Sequence, residues 1–353
     1  MDRIKVAILG ATGLVGQHFV KLLHKHPWFE IVALSSSPLS AGKIYRKVVK
    51  WYISGEMPEE VADIEVLRTD VDVLRKEGVE LVFSALPSKI AREVEPRFAS
   101  AGIPVISDAS AFRMEQDVPI LIPEVNYDHL KLTKLQMRRR GWRGFIITNP
   151  NCTAAVLALS LKPIFDEFGI KELIMVSMQA ISGAGYKGLP SMAIFDNIIP
   201  YIPEEEEKVE REMLKMFGRL HEGVIRRAEF RISCSCNRVL VYNGHTEVVF
   251  VKTDRKAHAD DVKKAMRRFK SLPQNLNLPS APSRPIVVRD EMDRPQPRLD
   301  RNEYGGMSVV VGRIREDPVL EGIKYVALGH NLIRGAAGNA VLSAELAYRM
   351  SYI

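Results

Sequence analysis

A cysteine at the start of a helix and a histidine behind a glycine are the residues of this chain best suited to covalent chemistry. Asn149-Pro150-Asn151-Cys152-Thr153-Ala154 follows the apolar run 145–148, which reads as a strand. It precedes 154–161, which reads as a buried helix stopped near Pro163. Pro150 fixes its own φ and biases Asn149 away from helical backbone, so the strand ends there. Cys152 is therefore expected at a helix N-terminus, where free N–H groups and the dipole stabilise a thiolate and depress the thiol pKa. A nucleophile needs that. The plain alternative is a small buried hydrophobe, the commoner fate of a lone cysteine. A second motif weighs against it: Arg238-Val239-Leu240-Val241-Tyr242-Asn243-Gly244-His245-Thr246-Glu247 reads as a strand with an arginine at its start and a histidine past its end. The glycine and polar flanks favour an oriented ring that moves protons, and the planar fork of Arg238 suits a carboxylate. Arg238 and His245 are seven apart, so an unbroken strand would turn them to opposite faces. If both serve one site, Asn243-Gly244 must break it.

A third motif points to a nucleotide. Gly10-Ala11-Thr12-Gly13-Leu14-Val15-Gly16 has the spacing G-x-x-G-x-x-G, with a strand before it and a helix after it. Glycines there let the backbone turn tightly and approach a pyrophosphate, which rests on the helix N-terminus. The next strand ends Leu34-Ser35-Ser36-Ser37, with Lys43 further on. Hydroxyls and a lysine suit a 2′-phosphate where an NAD site carries a carboxylate, so NADP is favoured over NAD. Ser84-Ala85-Leu86 follows another strand candidate and lies where parallel sheets present loops to a cofactor.

The elements that must position these residues fall into two groups. Strand candidates at 5–9, 30–34, 81–84, 105–107 and 145–148 alternate with helices at 14–24 and 90–101, which predicts a parallel sheet with crossover helices. From 172 onward the strands are longer and follow one another, at 172–180, 229–242, 247–253, 307–316 and 324–329. Helices are expected only at 204–217 and 260–269. The fold class is thus α/β: an N-terminal Rossmann-like dinucleotide-binding domain (1–150), then an α+β catalytic and dimerisation domain of mixed sheet (151–330). The segment 272–297 reads as an extended surface connection. The tail from 331 reads as a helix packed back on the first domain, with Gly335-Ala336-Ala337-Gly338 allowing close approach.

Composition narrows the class. Hydrophobic content of 46% and charged content of 26% over 353 residues suit a globular chain with a substantial core. No run is long enough to span a membrane, and residues 4–10 read as a strand rather than a signal peptide. Three cysteines cannot build a disulfide framework, so the cytoplasm is expected, and Cys234 and Cys236 read as core residues rather than metal ligands. The net charge of +7 is spread along the chain. Its one cluster, Arg138-Arg139-Arg140 with Arg143, reads as a short connecting segment without aromatic interleaving. A favourable field for anionic small molecules is expected, not nucleic acid.

Together these motifs resemble aspartate-β-semialdehyde dehydrogenase nearly end to end, in its archaeal and fungal branch. The resemblance extends to Gln179 in Gln179-Ala180-Ile181-Ser182-Gly183-Ala184-Gly185, to Arg294-Pro295-Gln296-Pro297-Arg298-Leu299-Asp300 and to Asn331-Leu332-Ile333-Arg334-Gly335. It implies Cys152 as nucleophile, His245 as general acid/base and Gln179 orienting the acyl intermediate. It places Asn151 by the leaving phosphate, Arg238 on the substrate α-carboxylate and Arg113 on the phosphate. Glu205 and Lys208 would serve the amino group and phosphate, although the run Glu204–Glu207 permits a register slip. NADP would lie along Gly10, Thr12, Gly13, Leu14, Val15, Ser35, Ser36, Ser37, Lys43, Ser84, Ala85 and Leu86, with Ser182, Gly183 and Asn331 beside it. No metal is implied, and a homodimer or homotetramer is. N-acetyl-γ-glutamyl-phosphate reductase carries Asn-Pro-Gly-Cys where this chain has Asn151. Malonyl-CoA reductase, on the same branch, replaces the arginine seven before the histidine. A non-catalytic NADP-binding regulator would not require Cys152, Gln179 and His245 together.

Overall fold

Alternation of buried residues along β1 (Ile4–Leu9) shows how the first half is built. Val6 and Ile8 face one layer of helices while Ala7 and Leu9 face the other, so the strand is apolar on both sides. The computed structural model, which describes residues 3–353, places β1 fourth in a seven-stranded sheet. Its other strands are β2 (Phe29–Ser36), β3 (Lys43–Ile44), β4 (Glu65–Arg68), β5 (Leu81–Ser84), β6 (Val105–Ser107) and β7 (Ile146–Thr148). The order is β3-β4-β2-β1-β5-β6-β7, all parallel except the two-residue edge strand β3. The helix Leu14–Leu23 and the C-terminal helix Gly338–Arg349 cover one face, and Ser88–Ser100 covers the other.

The second half forms a six-stranded mixed sheet in the order β11-β8-β12-β15-β14-β13. Its strands are β8 (Glu172–Gln179), β11 (Arg231–Arg238), β12 (His245–Lys252), β13 (Ile286–Val288), β14 (Val309–Asp317) and β15 (Gly322–Gly329). A separate hairpin, β9 (Arg219–His221) with β10 (Val224–Arg226), precedes β11. Helices Cys152–Phe168, Glu205–Met216 and Ala259–Arg268 pack on one face through Val156, Val209, Met213, Val262 and Met266 against Met175, Val249 and Tyr325. The opposite face is more open and leaves Ile174 exposed. The edge strand β11 is closed by side chains of the Glu205–Met216 helix and by the backbone of Ile199. Cys234 N–H donates to Glu210 at 2.9 Å, Cys236 N–H to Glu206 at 2.8 Å and Arg238 N–H to the Ile199 carbonyl at 2.8 Å.

Several expectations require correction. Pro163 does not stop the helix after Cys152, which runs to Phe168. An interior proline costs about 3 kcal/mol, but burial of Leu157, Leu161 and Ile164 on the sheet outweighs it. The run 229–242 is not one strand, because β11 ends at Arg238 and His245 opens β12. Segment 272–297 is not merely extended: Ser271 and Gln274 form a capping box on a short helix, and β13 joins the sheet. Arg138–Arg140 end the helix Lys131–Arg140 instead of lying in a connection, and Arg140 pairs bidentately with Asp117 at 2.5 and 2.6 Å. The tail is not helical from its start, since residues Ile333–Ala337 form a π-helical turn before the last helix.

Candidate active site

Cys152 is the first residue of its helix. Asn151 caps it, its Oδ1 accepting from the N–H groups of Thr153 at 2.8 Å and Ala154 at 3.2 Å. The sulfur lies 3.1 Å from His245 Nε2, and His245 Nδ1 accepts from the Ala180 N–H at 3.1 Å. A neutral imidazole carries one proton. With Nδ1 occupied as an acceptor, that proton sits on Nε2 and points at the sulfur.

Strand order explains how these residues meet. β8 lies between β11 and β12, Arg238 pairs opposite Gln179, and Thr246 pairs opposite Met178. Arg238, Gln179 and His245 therefore sit side by side at one end of three neighbouring strands, on one face. The strand does break between Arg238 and His245, and the connection 239–244 carries the chain from one edge of β8 to the other. Gly244 turns within it at φ +103°. Gly183 serves this cluster directly: a Cβ there would stand 2.7 Å from Arg238 Nη1 and 3.3 Å from His245 Cε1.

A cavity of about 440 Å³ opens over the sulfur, with Asn151, Gln179, Arg238, Glu205 and Arg113 in its wall. Arg238 donates to the Ala180 carbonyl at 2.7 Å through Nη1. Arg113 donates to Glu212 at 3.0 Å and to the Asp108 carbonyl at 2.9 Å, while its buried Nε has no acceptor among the described residues. Lys208 is not part of the wall. It pairs with Glu204 at 2.9 Å, whereas Glu205 faces the cavity, which fixes the register of the acidic run.

The expected low thiol pKa is overturned. Burial, then the charge of Glu205, pushes the Cys152 thiol well above its ordinary range, although Arg238 and Arg113 pull the other way. The helix N-terminus is already engaged: two of its N–H groups go to Asn151 Oδ1, and the Asn151 N–H donates to Glu212 at 2.5 Å. Burial, with Arg238 and His330 nearby, also holds His245 down to about 3. Thiol and imidazole are both neutral at rest.

The glycine loop fits a dinucleotide. Gly10 turns at φ +78°, and a Cβ there would meet the Ala85 carbonyl at 2.7 Å. A Cβ on Gly16 would meet the Gly10 carbonyl at 2.3 Å. Gly13 begins the helix Leu14–Leu23 without a side-chain cap, so its first N–H groups face outward. Thr12 and Ser36 share a hydroxyl hydrogen bond at 2.6 Å, and Ser37 and Lys43 are exposed beyond them. Ser35 is turned away, its hydroxyl held by Thr69 at 3.0 Å. Ser84 ends β5 fully buried, followed by Ala85 and Leu86. Asn331 lies in the cavity wall and links Ser182 at 2.8 Å to the Gly244 N–H at 2.9 Å.

Sequence reasoning missed Glu212 and Asp108, and gave Gly335 only a packing role against the first domain. Glu212 stands seven residues after Glu205, two helical turns along the same face, so it was readable once that register was known. The small-residue run at Gly335 signals close approach, but not that its partner is Cys152. A Cβ there would lie 2.8 Å from Cys152 Cβ, a contact between segments distant in the chain.

A dinucleotide sheet joined to a second sheet that holds a cysteine–histidine pair beside an arginine defines a cysteine-dependent dehydrogenase. Residues 5–133 match the family model described as semialdehyde dehydrogenase, NAD binding domain, and 161–334 match semialdehyde dehydrogenase, dimerisation domain. An aspartate-semialdehyde dehydrogenase of Methanothermobacter thermautotrophicus is 54% identical over 97% of this chain and 98% of that protein. The crystal structure of aspartate semialdehyde dehydrogenase with NADP from Candida albicans superposes with a TM-score of 0.92 at 39% identity, covering 99% of this chain and 100% of that one. A malonyl CoA reductase (NADP) of Metallosphaera sedula is 39% identical over 99% of this chain and 98% of that protein. The chain belongs to the aspartate-semialdehyde dehydrogenase family. Among the described residues, no helix is long and apolar enough to cross a membrane.

Proposed function

We propose that this chain catalyses the reversible NADPH-dependent reduction of L-aspartyl-4-phosphate to L-aspartate 4-semialdehyde and phosphate, through a thioester on Cys152. The observation that carries this reading is the 3.1 Å contact between Cys152 Sγ and His245 Nε2, at a cavity whose wall holds two arginines and a glutamate. Arg238 takes the α-carboxylate with the donors that Ala180 leaves free. Glu205 takes the amino group. Arg113, in the same wall, takes the phosphate, with the Asn151 side-chain NH2 beside it.

Attack of sulfur on the β-acyl carbon forms a C–S bond and breaks the C–O bond to phosphate. The thiol proton leaves with that phosphate, and Nε2–H of His245 stabilises the charge that develops on sulfur. Gln179 holds the acyl oxygen. NADPH, held by the glycine loop, would supply the hydride that the acyl carbon takes up. Hydride addition leaves the alkoxide of a thiohemiacetal. Its collapse re-forms the C=O bond, breaks the C–S bond and expels a thiolate to which Nε2–H donates. A proton from water then restores the thiol. The glycine loop would hold the pyrophosphate, and Ser36, Ser37 and Lys43 would receive the 2′-phosphate. Lys208 reaches phosphate only by leaving Glu204. Phosphate-dependent reduction of NADP by L-aspartate semialdehyde tests the reading, beside malonyl-CoA with NADPH. Turnover of malonyl-CoA alone refutes it.

Ser36→Asp puts a carboxylate where the 2′-phosphate lies, so kcat/KM for NADP should fall at least tenfold while that for NAD holds or rises. Unchanged cofactor preference in this variant would refute the assignment of Ser36. We further propose the division into domains 1–150 and 151–330, the tail rejoining the first, because each span carries its own sheet and core. The open face of the second sheet is covered by a second copy, giving a homodimer or homotetramer in the cytoplasm, where the free cysteines stay reduced. Light scattering should give at least twice the 39.7 kDa chain mass, and a stable active monomer refutes the assembly.

A further inference from the structure

Arg113 belongs to the segment that follows the first sheet's β6, whereas the helix Glu205–Met216 is docked on the edge of the second sheet. Two buried charged residues on that helix hold Arg113 in place. Glu212, 2% exposed, accepts from Arg113 Nη1 at 3.0 Å with one carboxylate oxygen and from the Asn151 N–H at 2.5 Å with the other. Lys215, 5% exposed, donates all three of its protons to backbone carbonyls of one short segment: Arg113 at 2.6 Å, Glu115 at 2.7 Å and Val118 at 2.7 Å.

We propose that Glu212 and Lys215 are positioning residues that form a clamp, setting the guanidinium of Arg113 against the nucleophile helix for recognition of the phosphoryl group. The proposal rests on the assignment of Arg113 to phosphate made above. Its logic is geometric. One carboxylate touches both the arginine and the backbone N–H immediately before Cys152, so it sets the distance between the anion-binding group and the attacking sulfur. The ammonium, with every donor satisfied, pins the loop that carries the arginine, and the guanidinium so held lines the cavity over the sulfur. Apolar residues would bury as well at lower desolvation cost. They would not orient a planar fork.

Glu212→Asp separates position from charge, because the carboxylate is retained but is one methylene too short to reach both partners. In the phosphorylating direction, KM for inorganic phosphate should rise about tenfold, while KM for aspartate semialdehyde and for NADP stay within about twofold. Combined with Arg113→Ala, Glu212→Asp should add no further rise. Lys215→Met should raise phosphate KM in the same selective way. In both variants amide hydrogen exchange should accelerate across 113–118 and remain unchanged in the strands of the second sheet. Unchanged exchange across 113–118, or KM values rising together for all three substrates, overturns the clamp. So does outright unfolding of both variants, which would make the pair a support of the fold alone. If Arg113→Ala itself leaves phosphate KM unmoved, the phosphate assignment falls and the clamp's function with it, whatever the exchange rates show.

Discussion

Cys152→Ser is expected to lower turnover by about four or more orders of magnitude while leaving NADP affinity unchanged. Loss of a nucleophile removes the covalent route itself, and residual rates in such variants come from binding and polar stabilisation alone. Serine is close in size to cysteine and sits in the same capped position, so the fold should tolerate it. The wild-type sulfur makes a second result testable. With its thiol pushed up by burial and by Glu205, Cys152 in the free protein should alkylate slowly at neutral pH, and the rate should still be climbing above pH 9. Site-resolved mass spectrometry separates Cys152 from Cys234 and Cys236, whose thiols burial also pushes up. Near-normal turnover of a folded Cys152→Ser protein would end the covalent mechanism. An alkylation rate that levels off below pH 7 would instead restore a standing thiolate.

Arg238→Lys and His245→Ala should part company in steady-state kinetics. Arg238 spends Nη1 on the Ala180 carbonyl and keeps its remaining donors for a carboxylate. A lysine cannot hold both partners in one plane. Loss of a charge-assisted bidentate pair costs about 1.5–3 kcal/mol, so KM for aspartate semialdehyde should rise about 10- to 100-fold with kcat changed much less. His245→Ala removes the Nε2–H that faces the sulfur. That interaction strengthens only as charge develops, so kcat should fall about 10²- to 10⁴-fold with KM nearly constant. An unchanged KM in Arg238→Lys would remove the carboxylate assignment and favour a substrate without that group. An unchanged kcat in His245→Ala would remove the histidine from the chemistry.

The contrast between these two residues shows where sequence reading succeeds. Both are legible from their types: a planar cation suits carboxylates, and a ring behind a glycine suits proton transfer, although the structure presents Nε2–H to the sulfur as a donor. The end of the first strand is not legible, because its pattern runs on through 239–242. The apolar run Val239-Leu240-Val241 satisfies a strand pattern, yet it forms the connection between β11 and β12 and leaves Leu240 half exposed. Hydrophobic pattern cannot tell a buried strand from an apolar connection when the covering surface lies elsewhere in the chain. The register of Glu205 against Lys208 is illegible in sequence for a similar reason. Four consecutive glutamates carry no period of their own, and only docking on β11 through Glu206 and Glu210 turns Glu205 to the cavity.

Local rules by themselves determined the glycine loop between β1 and its helix, the strand break at Pro150 and the helix start at Cys152. Each depends on backbone freedom or capping within a few residues, and those preferences act wherever the segment sits. The tertiary structure alone decided the rest. Strand order β11-β8-β12 put Arg238, Gln179 and His245 on one face. Packing carried the helix through Pro163. Burial raised the thiol that its helix position alone would have acidified, and Glu212 was brought to Arg113 from 99 residues away. Desolvation, and contacts between segments far apart in the chain, depend on what the whole fold places around a residue, which no short window of sequence contains.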